Sequence, residues 1–155
     1  MTTSPHATAA RQSKREAAEA LQIDPGFIRQ MVEEFYATIR SDARLGPIFA
    51  ARIADWDEHL DRMTAFWSSV LHESGGFRGN PMAKHIAIPG VERDDFLHWL
   101  ALFGATLDRL ERDPRATQLI AARARMIADS LLTGIRIHRD GRTDADALKG
   151  LEDAG

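Results

Sequence analysis

Apolar residues recur at spacings of three and four along most of this chain, and nowhere do they alternate with polar ones. Phe27, Ile28, Met31, Val32, Phe35, Tyr36 and Ile39 form one stripe. The period predicts a helix that starts at Asp24-Pro25, an N-cap followed by proline where a missing N–H costs nothing, and ends near Ser41. Trp56, His59, Leu60, Met63, Phe66, Trp67, Val70 and Leu71 predict a second helix over 55–72, stopped by Glu73-Ser74-Gly75-Gly76. Phe96, Trp99, Leu100, Phe103, Leu107 and Leu110 predict a third over 93–111. Asp113-Pro114 opens a fourth, to about 137, with Leu119, Ile120, Met126, Ile127, Leu131 and Ile135 inward. A short helix is expected over 14–22, and Leu45-Gly46-Pro47-Ile48-Phe49 reads as a tight corner with two apolar anchors. Phe77-Arg78-Gly79-Asn80-Pro81 reads as an irregular loop, after which Pro81 opens a short helix carrying Met82 to His85, closed by Pro89-Gly90. The expectation is an all-α fold.

With 155 residues, 44% apolar and 28% charged, the chain fits one soluble domain. That domain is expected over 16–138, between a disordered tail at 1–15 and a polar C-terminal tail at 139–155. A net charge of −3 and the lack of a basic stripe speak against a nucleic-acid partner. No apolar run approaches the ~18 residues of a membrane span. The chain has no cysteine, which excludes disulfides, thiolate zinc sites and thiol nucleophiles and fits a cytoplasmic setting.

Four rings with polar tips stand out: Tyr36, the only tyrosine, with His59, His85 and Trp99. Tyr36, His59 and Trp99 fall within apolar stripes of three different helices. Taken singly, each reads as readily as a core ring whose polar atom finds a carbonyl. Together they suggest convergence on something polar inside the protein, with iron as the leading candidate. His85 is the strongest metal-ligand candidate, because a proline-started short helix fixes its backbone and the neutral ring can give one nitrogen to a metal. Asp95-x-x-His98 resembles half of a di-iron motif, which leaves a non-haem metal bundle open. A cofactor-free helical interaction module is the third reading.

The segments Phe35-Tyr36, Leu45-Gly46-Pro47-Ile48-Phe49, Trp56-x-x-His59-x-x-x-Met63-x-x-Phe66-Trp67, Gly79-Asn80-Pro81-x-x-x-His85 and Phe96-x-x-Trp99-Leu100-x-Leu102-Phe103 jointly resemble the truncated haemoglobins, and the Gly-Asn-Pro form resembles their third group. The resemblance implies a two-on-two helical sandwich around haem b, held non-covalently. It implies His85 as the iron ligand and Tyr36, His59 and Trp99 on the side where O2, NO or CO binds. Phe49 would lie on the haem face, with Met63, Phe66 and Trp67 as further walls. Phe77 departs from the tyrosine common in relatives. Arg62 and Lys84 are placed to pair with the haem propionates, or to be solvated surface charges. Hydrogen-bond donors at such a site would slow release of a bound ligand that gains negative charge. The expected function is therefore ligand chemistry (NO dioxygenase or peroxidase-like) or sensing rather than bulk transport, with a reductase partner if iron cycles through the ferric state. His59 could itself reach the iron in the ligand-free protein. The sequence names no oligomeric state.

Overall fold

The computed structural model describes residues 16, 21, 23–72, 84–85, 87–88, 90–110 and 113–141. Among the described residues five helices are complete and follow in order: α1 (Pro25–Ser41), α2 (Gly46–Ala50), α3 (Trp56–His72), α4 (Arg93–Arg109) and α5 (Pro114–His138). The described residues include no strand.

Each start has a local cause. The Asp24 carboxylate accepts from the Phe27 N–H at 2.7 Å and opens α1. Asp113 accepts from the Arg115 N–H at 2.9 Å and opens α5. At α4 the Asp95 carboxylate reaches back to the Glu92 N–H at 2.9 Å, satisfying a donor the helix leaves orphaned. The expected corner at 45–49 is wound more tightly than anticipated, into the single turn of α2. Gly46 permits it, because a Cβ there would sit 3.0 Å from the Arg40 carbonyl oxygen and 3.3 Å from that of Ile39.

Helix α1 packs on α3, α4 packs on α5, and α1 crosses α4, so two helix pairs lie one on the other. The whole expected stripe of α1, from Phe27 to Ile39, is buried. Fully burying a side chain of the size of Phe35 or Ile28 contributes about 1.5–3 kcal/mol, which fixes the face α1 presents.

One expectation fails on α5. Met126 is 61% exposed, and Leu119 and Ile127 are only half-buried. The inward row is instead Ala116, Ile120, Ala124, Ala128, Leu131, Leu132 and Ile135. Met126 is two residues past Ala124, roughly 200° around the helix, and so faces outward. Ala116, Ala124 and Ala128 fall on the four-residue row with Ile120, and a reading weighted by apolar size passes over them.

The core is divided. One cluster gathers α1 with Trp67, Leu71, Phe103, Leu107, Ile120 and Ala124. A second holds Val91, Phe96, Ala128, Leu131, Leu132 and Ile135. Only half-buried residues such as Leu100 and Ile127 touch both.

The expected loop at 77–81 and the start of the short helix at 81–83 lie outside the described residues, as do 1–15 and 142–155. Of the helix expected over 14–22, Glu16 is helical and Leu21 lies in a turn. Lys84 and His85 are helical. Arg139 follows α5 and donates to the Val91 carbonyl at 3.1 Å and to Glu92 at 3.0 Å, so packing of the domain extends to residue 139.

Candidate cofactor pocket

Between the two clusters lies a cavity of about 550 Å³. The side chains that the family resemblance assigns to the haem site line it: Tyr36, Phe49, His59, Arg62, Met63, Phe66, Trp67, Lys84, His85 and Trp99. The half-burial of Met63, Phe66 and Trp99 follows, since these face a void rather than a neighbouring helix.

The α1–α3 side is aromatic. Tyr36 meets His59 edge to face, ring centroids 4.8 Å apart. Trp56 lies 5.6 Å from His59 and Phe49 lies 6.5 Å from it, so three rings from three elements fix the imidazole. Phe103 is stacked between Trp99 at 5.4 Å and Trp67 at 5.2 Å, which holds both indoles as flat walls.

Among the described lining residues one buried side-chain atom lacks a hydrogen-bond partner. The His59 Nε2 is buried with no hydrogen-bond partner. Burial first, then the Lys84 and Arg62 charges, push its pKa down to about 4, so the ring is neutral at pH 7. Burial also raises the Tyr36 phenol well above its ordinary value, with no hydrogen bond contributing. Tyr36 therefore keeps a proton that it can donate into the cavity.

On the other side, the His85 ring lies 6.5 Å from Phe96 at 30° between planes. Its carbonyl accepts from the Ile88 N–H at 3.1 Å, which turns the chain toward α4. Arg52, Arg62 and Lys84 bring cationic groups to the exposed edge of the cavity. Arg62 also sits 3.6 Å from Glu58, an exposed pair of little energetic weight.

Several lining residues escaped the sequence reading. Phe96, Ile127 and Leu131 were expected as plain core, and Arg52, Ile88, Val91 and Ala128 were not singled out. The four-residue alanine row was the signal available for Ala128. Nothing local marks Arg52.

The half di-iron motif does not assemble a site. Asp95 takes the Arg44 guanidinium at 2.8 Å, while His98 Nε2 lies 2.9 Å from both Asp42 oxygens. Among the described residues no group of three His, Asp or Glu could hold a metal ion.

A mainly apolar cavity within the ~300–1,000 Å³ of cofactor sites, one orphaned imidazole, a second imidazole and cations at the rim together fit a haem. Such an arrangement defines a helical, cofactor-binding domain of globin type. No family model matches the chain. It is 34% identical over 105 residues to the group 3 truncated hemoglobin ctb of Campylobacter jejuni, covering 65% of this chain and 82% of that protein. The crystal structure of a group III truncated hemoglobin from Campylobacter jejuni superposes with a TM-score of 0.68 at 30% identity, covering 77% of this chain and 95% of that one. The chain belongs to the group 3 truncated haemoglobins. Membership makes it a haem globin that binds small ligands. No helix among the described residues is long and apolar enough to cross a membrane.

Proposed function

We propose that this chain holds haem b through His85 and binds O2, NO or CO beside Tyr36, His59 and Trp99, for ligand chemistry or sensing rather than bulk transport. The observation that carries the reading is the unpartnered Nε2 of a neutral His59, set edge-on to Tyr36 in an apolar cavity that His85 also lines. When bound, the haem would supply a redox-active iron at which a diatomic molecule can be held. His85 would be its imidazole ligand. Arg62 and Lys84 would pair with the propionates at the cavity edge.

Phe49, Met63, Phe66 and Trp67 exclude water, which strengthens every hydrogen bond made inside. The Tyr36 O–H and the Trp99 indole N–H are the donors available to a small ligand. A charge-assisted hydrogen bond is worth about 1.5–3 kcal/mol, roughly 10- to 150-fold in residence time. Release slowed by such factors suits turnover or sensing. The neutral His59 can accept or return a proton at Nε2, as a peroxidase-like reaction requires. Conversion of NO to nitrate is the other reaction that slow O2 release favours. Conversion of NO to nitrate calls for a reductase partner to restore the ferrous state, whereas a peroxidase-like turnover takes its electrons from the co-substrate it oxidises; the cytoplasm is the setting we assign.

Purified full-length protein should be red, with a Soret band that shifts on adding carbon monoxide, and H85A should retain hemin poorly. A folded, colourless protein that refuses added hemin would end the reading. Stopped-flow mixing of O2-equilibrated ferrous protein with NO separates the two reactions, since sluggish oxidation removes the NO reading. A wholly high-spin spectrum of the ligand-free protein would show that His59 does not reach the iron.

A further inference from the structure

Arg52 stands between the two sides of the cavity. Its backbone belongs to the turn that ends α2, with the Arg52 and Ile53 N–H groups donating to the Phe49 carbonyl at 3.0 and 2.9 Å. Its side chain crosses to the other wall, where Nη2 donates to the Ala87 carbonyl at 3.1 Å. Ala87 lies two residues beyond His85, inside the turn closed by the Ile88 N–H on the His85 carbonyl. Ile88 in turn packs on the second core cluster. The guanidinium makes no ion pair with the acidic side chains of the cavity rim, Asp55 and Glu58, so the carbonyl is its partner among the described residues.

Arg52 thus bridges the cavity edge from the turn after α2 to the turn that follows His85. On one side it is rooted next to Phe49, which packs on Tyr36 at 5.8 Å. On the other it grips the backbone that presents His85. We infer that Arg52 is a positioning residue, a clasp that ties the α2 corner to the His85 turn and so restrains the imidazole and slows loss of the cofactor. The inference rests on the reading of His85 as the iron ligand. A planar guanidinium suits the role, since its fixed donors can hold a carbonyl while the long stem spans the gap. It differs from the roles given to Arg62 and Lys84, which would act on the propionates by charge.

The test uses full-length protein loaded with hemin and measures hemin transfer to an excess of apoglobin scavenger. R52A and R52M, the second keeping the stem without donors, should each lose hemin about 3- to 10-fold faster than wild type, the worth of one solvent-exposed hydrogen bond. The iron–imidazole stretching band of the ferrous variants should also shift or broaden, which a general loss of stability would not cause. Hemin dimethyl ester, which has no charged propionates, should give the same acceleration. Acceleration with hemin but not with the ester would mean that Arg52 acts on a propionate and would overturn the clasp. Wild-type rates for both variants would overturn it as well. H85A separates the two claims: fast loss in H85A beside wild-type loss in R52A sinks the clasp alone, whereas wild-type loss in H85A removes the ligand assignment and the clasp with it.

Discussion

The Tyr36 ring meets the His59 ring edge to face, with planes at 89°, and among the described residues neither the Tyr36 hydroxyl nor His59 Nε2 has a hydrogen-bond partner. Two hydrogen-bonding rings left unsatisfied side by side are costly to a fold unless a ligand uses them. Tyr36→Phe removes a hydroxyl that bonds nothing among the described residues, so the urea midpoint should be unchanged or slightly higher. O2 release, followed by stopped flow, should quicken by roughly 10- to 150-fold. An unchanged off-rate would exclude Tyr36 as a donor.

The His59 imidazole should carry a pH signature in the cofactor-free chain. Its pKa is lowered from 6.5 to about 4 by burial, then by Lys84 and Arg62. Between those values the unfolded chain takes up the proton before the folded one, so stability falls as pH drops from about 6.5 to about 4 and is unaffected above that window. His59→Leu should flatten that part of the curve. Lys84→Met should bring the His59 pKa upward in an NMR titration, since it removes the larger of the two repelling charges.

Two buried alanines on α5 should respond differently to the same change. Ala124 is fully buried in the main cluster and does not line the cavity, so Ala124→Leu should cost about 1–3 kcal/mol by overpacking. Ala128 does line it, and a leucine there can extend into free space. Ala128→Leu should therefore destabilise less in denaturant titration while weakening hemin uptake. Equal stability losses would show that the cavity is not open beside Ala128.

Asp42 joins the end of α1 to the middle of α4. Its carboxylate accepts from the Leu45 N–H at 2.8 Å, lies 2.9 Å from His98 Nε2, and accepts from the Arg44 N–H at 3.0 Å. These contacts hold its pKa below the ordinary carboxylate value. A lowered folded pKa stabilises the fold above the unfolded value near 3.8 and is lost as pH falls through the folded one. Asp42→Ala should lower the melting temperature at pH 7, and the difference from wild type should close in thermal scans below about pH 4. A gap that persists there would mean the carboxylate's charge contributes nothing.

The periodicity of the chain determined by itself that the protein is helical, where α1, α3 and α4 run, and which rings were out of place in a core. Those signals are local: the 3.6-residue repeat, Asp-Pro starts and glycine stops act over one or two turns. The same locality made Met126 a misleading inward candidate, because apolar character was visible while the angle set by the alanine row was not. Tertiary structure decided the rest. Only the crossing of two helix pairs turns residues from positions 36 to 131 into one cavity, leaves His59 Nε2 without a partner, and brings Arg52 to Ala87 across 35 residues of sequence. Such contacts depend on how faces meet in space, which the spacing of residues along a single helix does not encode.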